Sequence, residues 1–243
     1  MTSATARRAL VTGGSGALGA AICRRLARQG CHVIVHAHRN PARAQAVADE
    51  IVGHGGSAET VGFDVIDNAG AAQALAYLLE AGPIQVVVNN AGVHDDAPLA
   101  GMTFEQWRRV VEVSLHGFFN VTQPLLLPMI RTRWGRVISV SSVVGSIGNR
   151  GQGNYAAAKA GLHGVTKALA LELATRGVTV NAIAPGFIAA GMAEGIAQSV
   201  IDAVVPMKRA GGADEVAAAV GYLALDEAAY VTGQILGISG GLG

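Results

Sequence analysis

The chain has 243 residues, 51% of them hydrophobic and 14% charged, with a formal net charge of +1. That length holds one large α/β unit or two small ones and can bury a sizeable core. The apolar content excludes a disordered chain, the near-neutral charge offers no global field to nucleic acid or anionic membrane, and 33 glycines without a three-residue period exclude collagen.

Met1 to Arg8 is polar and runs straight into Ala9-Leu10-Val11, without the longer apolar stretch of a signal peptide. No run reaches the ~18 apolar residues of a membrane span. Two cysteines, Cys23 and Cys31, build neither a disulfide framework nor a metal site and read as reduced core thiols. The expected compartment is the cytoplasm. So low a charge for a soluble chain suggests that other subunits cover part of the surface.

Short β-branched runs alternate with longer helical patterns, the signature of a parallel sheet with crossover helices. Leu10-Val11 is the first strand. Leu18, Ile22 and Leu26 then recur at helical spacing, with Gly30 where a helix C-cap belongs. Val33 to Val35 is the second strand, followed by an alanine-rich helix from Pro41. Further strands are expected at Thr60–Phe63, Val86–Val88, Val137–Val140, Thr179–Ile183 and Ile235–Ile238. Thr103 to Gln106 forms a capping box that opens another helix. No repeat, linker or low-complexity segment divides residues 1–243, so a single α/β domain is expected. Pro185 to about Pro206 is the least regular stretch and reads as a loop or lid.

Thr12-Gly13-Gly14-Ser15-Gly16-Ala17-Leu18-Gly19 lies between the first strand and the first helix. Glycines there let backbone N–H groups approach a pyrophosphate at a helix N-terminus, and the placement points to a dinucleotide; an ordinary tight turn is the plainer alternative. The second strand ends His36-Ala37-His38-Arg39-Asn40, with no carboxylate to hold a ribose 2′-hydroxyl and a permanent cation at Arg39. That favours NADP(H), with His38 and Arg39 at its 2′-phosphate. Asp64 and Val65, after the third strand, are placed to meet the adenine; Asp64 could equally cap a turn.

Tyr155 and Lys159 are four apart and share one helix face. A free phenol has a pKa of ~10, so it serves as an acid–base near neutrality only if a nearby ammonium favours its phenolate. Ser142, thirteen positions earlier at a strand end, is placed to hydrogen-bond a carbonyl oxygen.

Thr12 to Gly19, Asn89-Asn90-Ala91-Gly92, Ser142, Tyr155 with Lys159, and Pro185-Gly186 together resemble the short-chain dehydrogenases/reductases over essentially the whole chain. The closest likeness is to 3-oxoacyl-acyl-carrier-protein reductases, through Ser142 to Gly145, Gly148-Asn149, Gly151-Gln152, Asn154-Tyr155 and Val231 to Gln234. The resemblance implies a Rossmann-type doubly wound parallel sheet of about seven strands with helices on both faces. It also implies a homotetramer, with helix faces around residues 104–130 and 152–175 at one interface and the C-terminal segment at another.

The implied chemistry is NADPH-dependent reduction of a 3-oxoacyl thioester, with Tyr155 as acid, Ser142 stabilising the alkoxide, and Lys159 holding the nicotinamide ribose and lowering the tyrosine pKa. Gly13, Ser15, Gly16, Ala17, Leu18, Gly19, Asn90, Ala91, Gly92, Pro185, Gly186 and Ile188 would line the coenzyme groove, which Asn89 also shapes. Three positions depart from the family pattern. Ala17 replaces the middle glycine of the loop, Ser114 replaces an asparagine that orders a proton-relay water, and Ala190 replaces a threonine that contacts the nicotinamide amide. A reductase of another small ketone or alcohol, or a non-catalytic NADP-binding partner subunit, are the alternative readings.

An acyl carrier protein is acidic, so its reductase needs basic surface beside the site mouth. By resemblance Arg133 and Arg176 are docking candidates. Ile188, Met192, Ile196, Val200, Val204 and Val205 would line an acyl channel or simply pack. His94-Asp95-Asp96 is expected at the substrate mouth, with too few ligands for a metal site. His94 to Pro98 and Phe118 to Gly135 also resemble reductases of aryl polyene pigment pathways.

Overall fold

The computed structural model describes residues 6–190 and 197–243. Seven parallel strands form one sheet in the order β3-β2-β1-β4-β5-β6-β7. These are β1 (Arg8–Val11), β2 (His32–Ala37), β3 (Ser57–Gly62), β4 (Val86–Asn89), β5 (Gly135–Val140), β6 (Val178–Pro185) and β7 (Ile235–Ile238). β1 pairs with β2 on one side and β4 on the other, so the chain reverses its direction of travel across the sheet between them. That reversal opens a crevice at the strands' C-terminal ends, where ligands of such sheets bind.

Helices cover both faces. α1 (Ala17–Arg28), α2 (Pro41–Gly53) and α9 (Ala213–Ala224) pack against Ala9, Val11, Val33, Val35, Val86 and Val88. α3 (Asn68–Glu80), α5 (Gly117–Thr132) and α7 (Gly153–Leu173) pack against Leu10, Ile34, Val87, Val137 and Val180. Alternate residues of one strand thus enter opposite cores, which is why the central strands are apolar without a break. The remaining α-helices among the described residues are α4 (Phe104–Val111), the short α6 (Val144–Ile147) and α8 (Gln198–Val204).

Local chemistry starts and stops these elements. Asn40 accepts the Arg43 N–H at 3.1 Å and Pro41 takes the first turn of α2. Thr103 and Gln106 make the reciprocal capping box of α4. Gly30, at φ +84°, follows the C-terminus of α1. The third strand begins three residues earlier than its β-branched content suggests. Ser57, Ala58 and Glu59 pair with β2 on an edge strand, where outward positions tolerate polar side chains. Between α4 and α5 the helix widens into a single π-turn, Glu112–His116.

The N-terminal edge of the sheet is closed by arginines. Arg8 donates to the carbonyls of Leu78 (2.6 Å) and Gly82 (2.8 Å) and to Glu59 (2.9 Å). Arg136 is buried and donates to the carbonyls of Gly135 and Leu225. Arg7 and Arg136 both stack on Trp134, at 3.8 and 4.2 Å from the ring centroid. Asp226 accepts from Arg7 (2.9 and 3.0 Å) and from the Trp134 indole (2.8 Å).

Candidate active site

The opposite edge holds a cleft of about 780 Å³. Its floor is the glycine loop. Gly13 has φ +63°, a backbone region that glycine enters without penalty. A Cβ at Gly19 would run into the Gly13 carbonyl oxygen, and one at Gly14 would lie 2.9 Å from Val35 and 3.1 Å from the Cys23 sulfur. The loop is therefore folded flat beneath the start of α1. Gly16 caps that helix without a side-chain bond, and the first turn carries no acidic residue. Backbone N–H groups and the positive end of the helix dipole are left facing the cleft, which fits a pyrophosphate. Ala17 is the first residue of α1, where a methyl group suits the helical backbone, so this departure needs no shift of the loop.

The loop is stitched to β4. Thr12 Oγ1 accepts the N–H groups of Asn90 (2.9 Å) and Ala91 (3.0 Å), and the Asn90 amide donates to the carbonyls of Thr12 and Gly13. Asn90, Ala91 and Gly92 line the cleft with Gly13, Ser15, Gly16, Ala17, Leu18 and Gly19. Asn89 does not. Its amide points away from the cleft and donates to Thr122 Oγ1 at 2.9 Å.

Ser142, Tyr155 and Lys159 converge at the far end of the cleft. Ser142 follows β5, and its hydroxyl accepts the Val144 N–H at 3.2 Å. Tyr155 and Lys159 stand one turn apart on α7, with the ammonium nitrogen 5.4 Å from the ring centroid. Lys159 Nζ donates to the Val140 carbonyl at 2.9 Å. Burial alone brings its pKa down to about 8. Burial also pushes the Tyr155 phenol above its ordinary value; a hydrogen bond with Ser142 opposes the rise and the Asp96 charge adds to it. The Lys159 ammonium is turned to a backbone carbonyl, 5.4 Å from the centre of the tyrosine ring.

Ser114 is not in this cleft. It sits in the π-turn, buried, with its Oγ lacking a hydrogen-bond partner. It lines a separate space of about 10 Å³ with Thr12, Val65, Asn89 and Phe118, enough for about one water. Val65 belongs to that space too, and its carbonyl accepts from Asn120 at 2.9 Å. Ser114, expected in the proton relay, and Val65, expected at the adenine, thus share this small space.

His38, Arg39 and Asp64 stand beyond β2 and β3, outside the deep cleft. His38 Nδ1 is 3.6 Å from the Asp64 carboxylate, and Asp64 also accepts the Ile66 N–H, the turn-capping role. Arg39 is exposed. Pro185, Gly186, Ile188 and Ala190 close the other wall. Of the irregular segment, Ile188 and Val204 face the cleft, Val205 is core and Val200 is exposed; Met192 and Ile196 lie outside the described residues.

At the mouth, His94 and Asp96 face the cleft, whereas Asp95 turns away to Gln106 (2.9 Å) and Arg109 (3.4 Å). Gln152 donates to Asp96 at 2.7 Å and to the cleft rim it adds Asn149, its own hydrogen-bond partner. Val144, Ile147, Phe187 and Leu242 supply apolar wall. Sequence reading did not single these four out, because nothing in a short apolar run tells cleft from core.

Arg133 and Arg176 are exposed, and each stands two residues before its strand, β5 or β6. They stand at the N-terminal edge, one strand length (about 20 Å) from Ser142. Basic surface beside this chain's own mouth is not what they provide.

The family model for short chain dehydrogenases matches residues 7–200. A 3-oxoacyl-[acyl-carrier-protein] reductase of Synechocystis sp. is 43% identical over 100% of this chain and 99% of its own length. Nodulation protein G of Azospirillum brasilense is 46% identical, covering 96% and 97%. Acetoacetyl-CoA reductase of Allochromatium vinosum is 42% identical, covering 98% of each.

Proposed function

This chain belongs to the short-chain dehydrogenase family, and on that premise we propose that it is an NADPH-dependent 3-oxoacyl-acyl-carrier-protein reductase. The observation that carries the reading is the convergence of Ser142, Tyr155 and Lys159 at the end of a glycine-floored cleft. The exposed Arg39, and the absence of a carboxylate at the end of β2, support NADPH over NADH.

A bound NADPH supplies the hydride. The protein's part is position and charge. Ser142 Oγ–H donates to the ketone oxygen of the thioester. Tyr155 gives its phenolic proton to that oxygen as negative charge builds there. Lys159 would hold the ribose of a bound coenzyme, and its ammonium would favour the phenolate that remains. The apolar wall of Val144, Ile147, Phe187 and Val204 suits an acyl chain.

A homo-oligomer, a tetramer by family likeness, is supported by exposed Phe104, Phe119, Leu127 and Leu171 on α4, α5 and α7. Docking of a carrier at Arg133 and Arg176 then serves the mouth of a neighbouring copy.

The test is oxidation of NADPH and of NADH with a 3-oxoacyl thioester on acyl carrier protein, on coenzyme A, and with an aryl conjugated chain. Fastest turnover of the carrier-bound substrate with NADPH supports the proposal. Preference for coenzyme A moves it to the activity named for the Allochromatium relative, and preference for the aryl chain places it in the aryl polyene branch. NADPH binding without turnover of any thioester leaves a reductase of another ketone or a non-catalytic subunit.

A further inference from the structure

His36 is a buried polar residue that the mechanism above does not use. It lies on β2 in the same alternation as Ile34, so its ring points between the glycine loop and the end of β3. Its Nδ1 is 3.0 Å from the Gly13 nitrogen and its Nε2 is 2.9 Å from the Phe63 carbonyl oxygen. A backbone N–H can only donate and a carbonyl can only accept, so one tautomer alone satisfies both contacts: Nε2 carries the proton and Nδ1 is bare. The ring also packs on Phe63, with centroids 4.2 Å apart.

Gly13 is thereby held from both sides. Its N–H goes to His36, and its carbonyl accepts from Asn90 and from the Gly16 N–H. Gly13 sits at the positive-φ corner on which the whole loop turns. Phe63 immediately precedes Asp64, at the adenosine end of the groove. One imidazole therefore connects the pyrophosphate seat to the adenosine seat.

We propose that His36 is a positioning residue for the coenzyme, whose Nε2–H tautomer ties the glycine loop to the end of β3 and pre-forms the pyrophosphate seat. The proposal rests on the reading that this cleft takes a nicotinamide dinucleotide. A preformed loop binds without the entropic cost of ordering it. Burial brings the His36 pKa down to about 4, so proton uptake does not break the tether near neutrality.

The experiment is NADPH binding to the full chain, followed by coenzyme fluorescence, with kcat at saturating coenzyme alongside. His36→Phe keeps a ring against Phe63 and removes both hydrogen bonds. It should weaken NADPH binding roughly three- to tenfold, with kcat within about twofold of wild type. His36→Gln restores one acceptor and one donor, and should recover part of the loss. Unchanged affinity in His36→Phe overturns the proposal, as does a Gln variant no tighter than the Phe variant. Should the Phe variant fail to fold, side-chain ¹⁵N resonances of wild-type His36 decide: an Nδ1–H tautomer overturns the tether. A wild type that binds neither NADPH nor NADH overturns the underlying coenzyme reading, and that result is separate from any difference between variants.

Discussion

The two edges of the sheet use buried charge in opposite ways. At the N-terminal edge, Arg8 donates to two carbonyls and to Glu59, Arg136 donates to the Gly135 and Leu225 carbonyls, and Arg7, Trp134 and Asp226 complete the closure. At the C-terminal edge, Lys159 is fully buried on a single carbonyl, and Tyr155 is held above its ordinary pKa. A guanidinium bonded to several fixed backbone carbonyls holds structure in place. A buried cation with spare donors is a group kept ready for something else, at some expense in stability.

The sharpest way to break this comparison is at the C-terminal edge. Tyr155→Phe should lower turnover by about 10²–10⁴-fold while NADPH binding, read by fluorescence, stays near wild type. Turnover within threefold of wild type would mean that another group gives the proton. At the other edge, Arg136→Met should cost roughly 3 kcal/mol, because the Leu225 and Gly135 carbonyls lose their partner in a buried place. Chemical denaturation measures that loss, and activity per folded molecule should not move. A stable Arg136→Met would show that the clamp is ornamental.

Lys159→Met tests the opposite sign. The folded-state pKa of about 8 lies below the ordinary 10.5, so the folded state resists protonation. Stability should therefore be greatest above pH 10.5 and fall as pH drops toward 8, with the full expense of the buried charge present at neutrality. Methionine keeps the apolar stem and removes the charge. The variant should be inactive yet more stable at pH 7 by about 1–3 kcal/mol, and its melting temperature should lose that segment of pH dependence. A melting point below wild type would sink the idea that this lysine is stored at a loss. The smallest effect is expected at Ser114→Ala. Its hydroxyl has no partner, so stability should change by less than about 1 kcal/mol and kcat by less than threefold. A tenfold drop in kcat would show that a water in the small cavity takes part in proton transfer after all.

Much of the fold was legible because both sheet faces are buried, which forces unbroken apolar strands between amphipathic helices. The glycine loop and the Tyr155–Lys159 pair were legible for a related reason, since spacing alone puts each on one surface. Direction was harder to read. Ser114 and Asn89 are of the right type at the right place in the chain, yet their side chains turn into the space beneath α5. The position of Arg133 and Arg176 was readable in principle, because a residue just before a parallel strand stands at the edge away from the site. The tether through His36 is not legible in the sequence, because a histidine inside a β-branched run resembles any other strand residue until the loop folds over it.

The arginine clamp also bears on how the chain reaches this state. Arg7 meets Asp226 across 219 positions of sequence. At a synthesis rate of about 5–20 residues per second, roughly ten to forty seconds separate the appearance of the two partners. Over that interval Arg7 and, once it is made, Trp134 lack the carboxylate that closes this edge, although Arg7 already has the indole to stack on. A late-made carboxylate thus holds the residue that leads into the first strand, and a nascent chain stalled before Asp226 leaves that edge open.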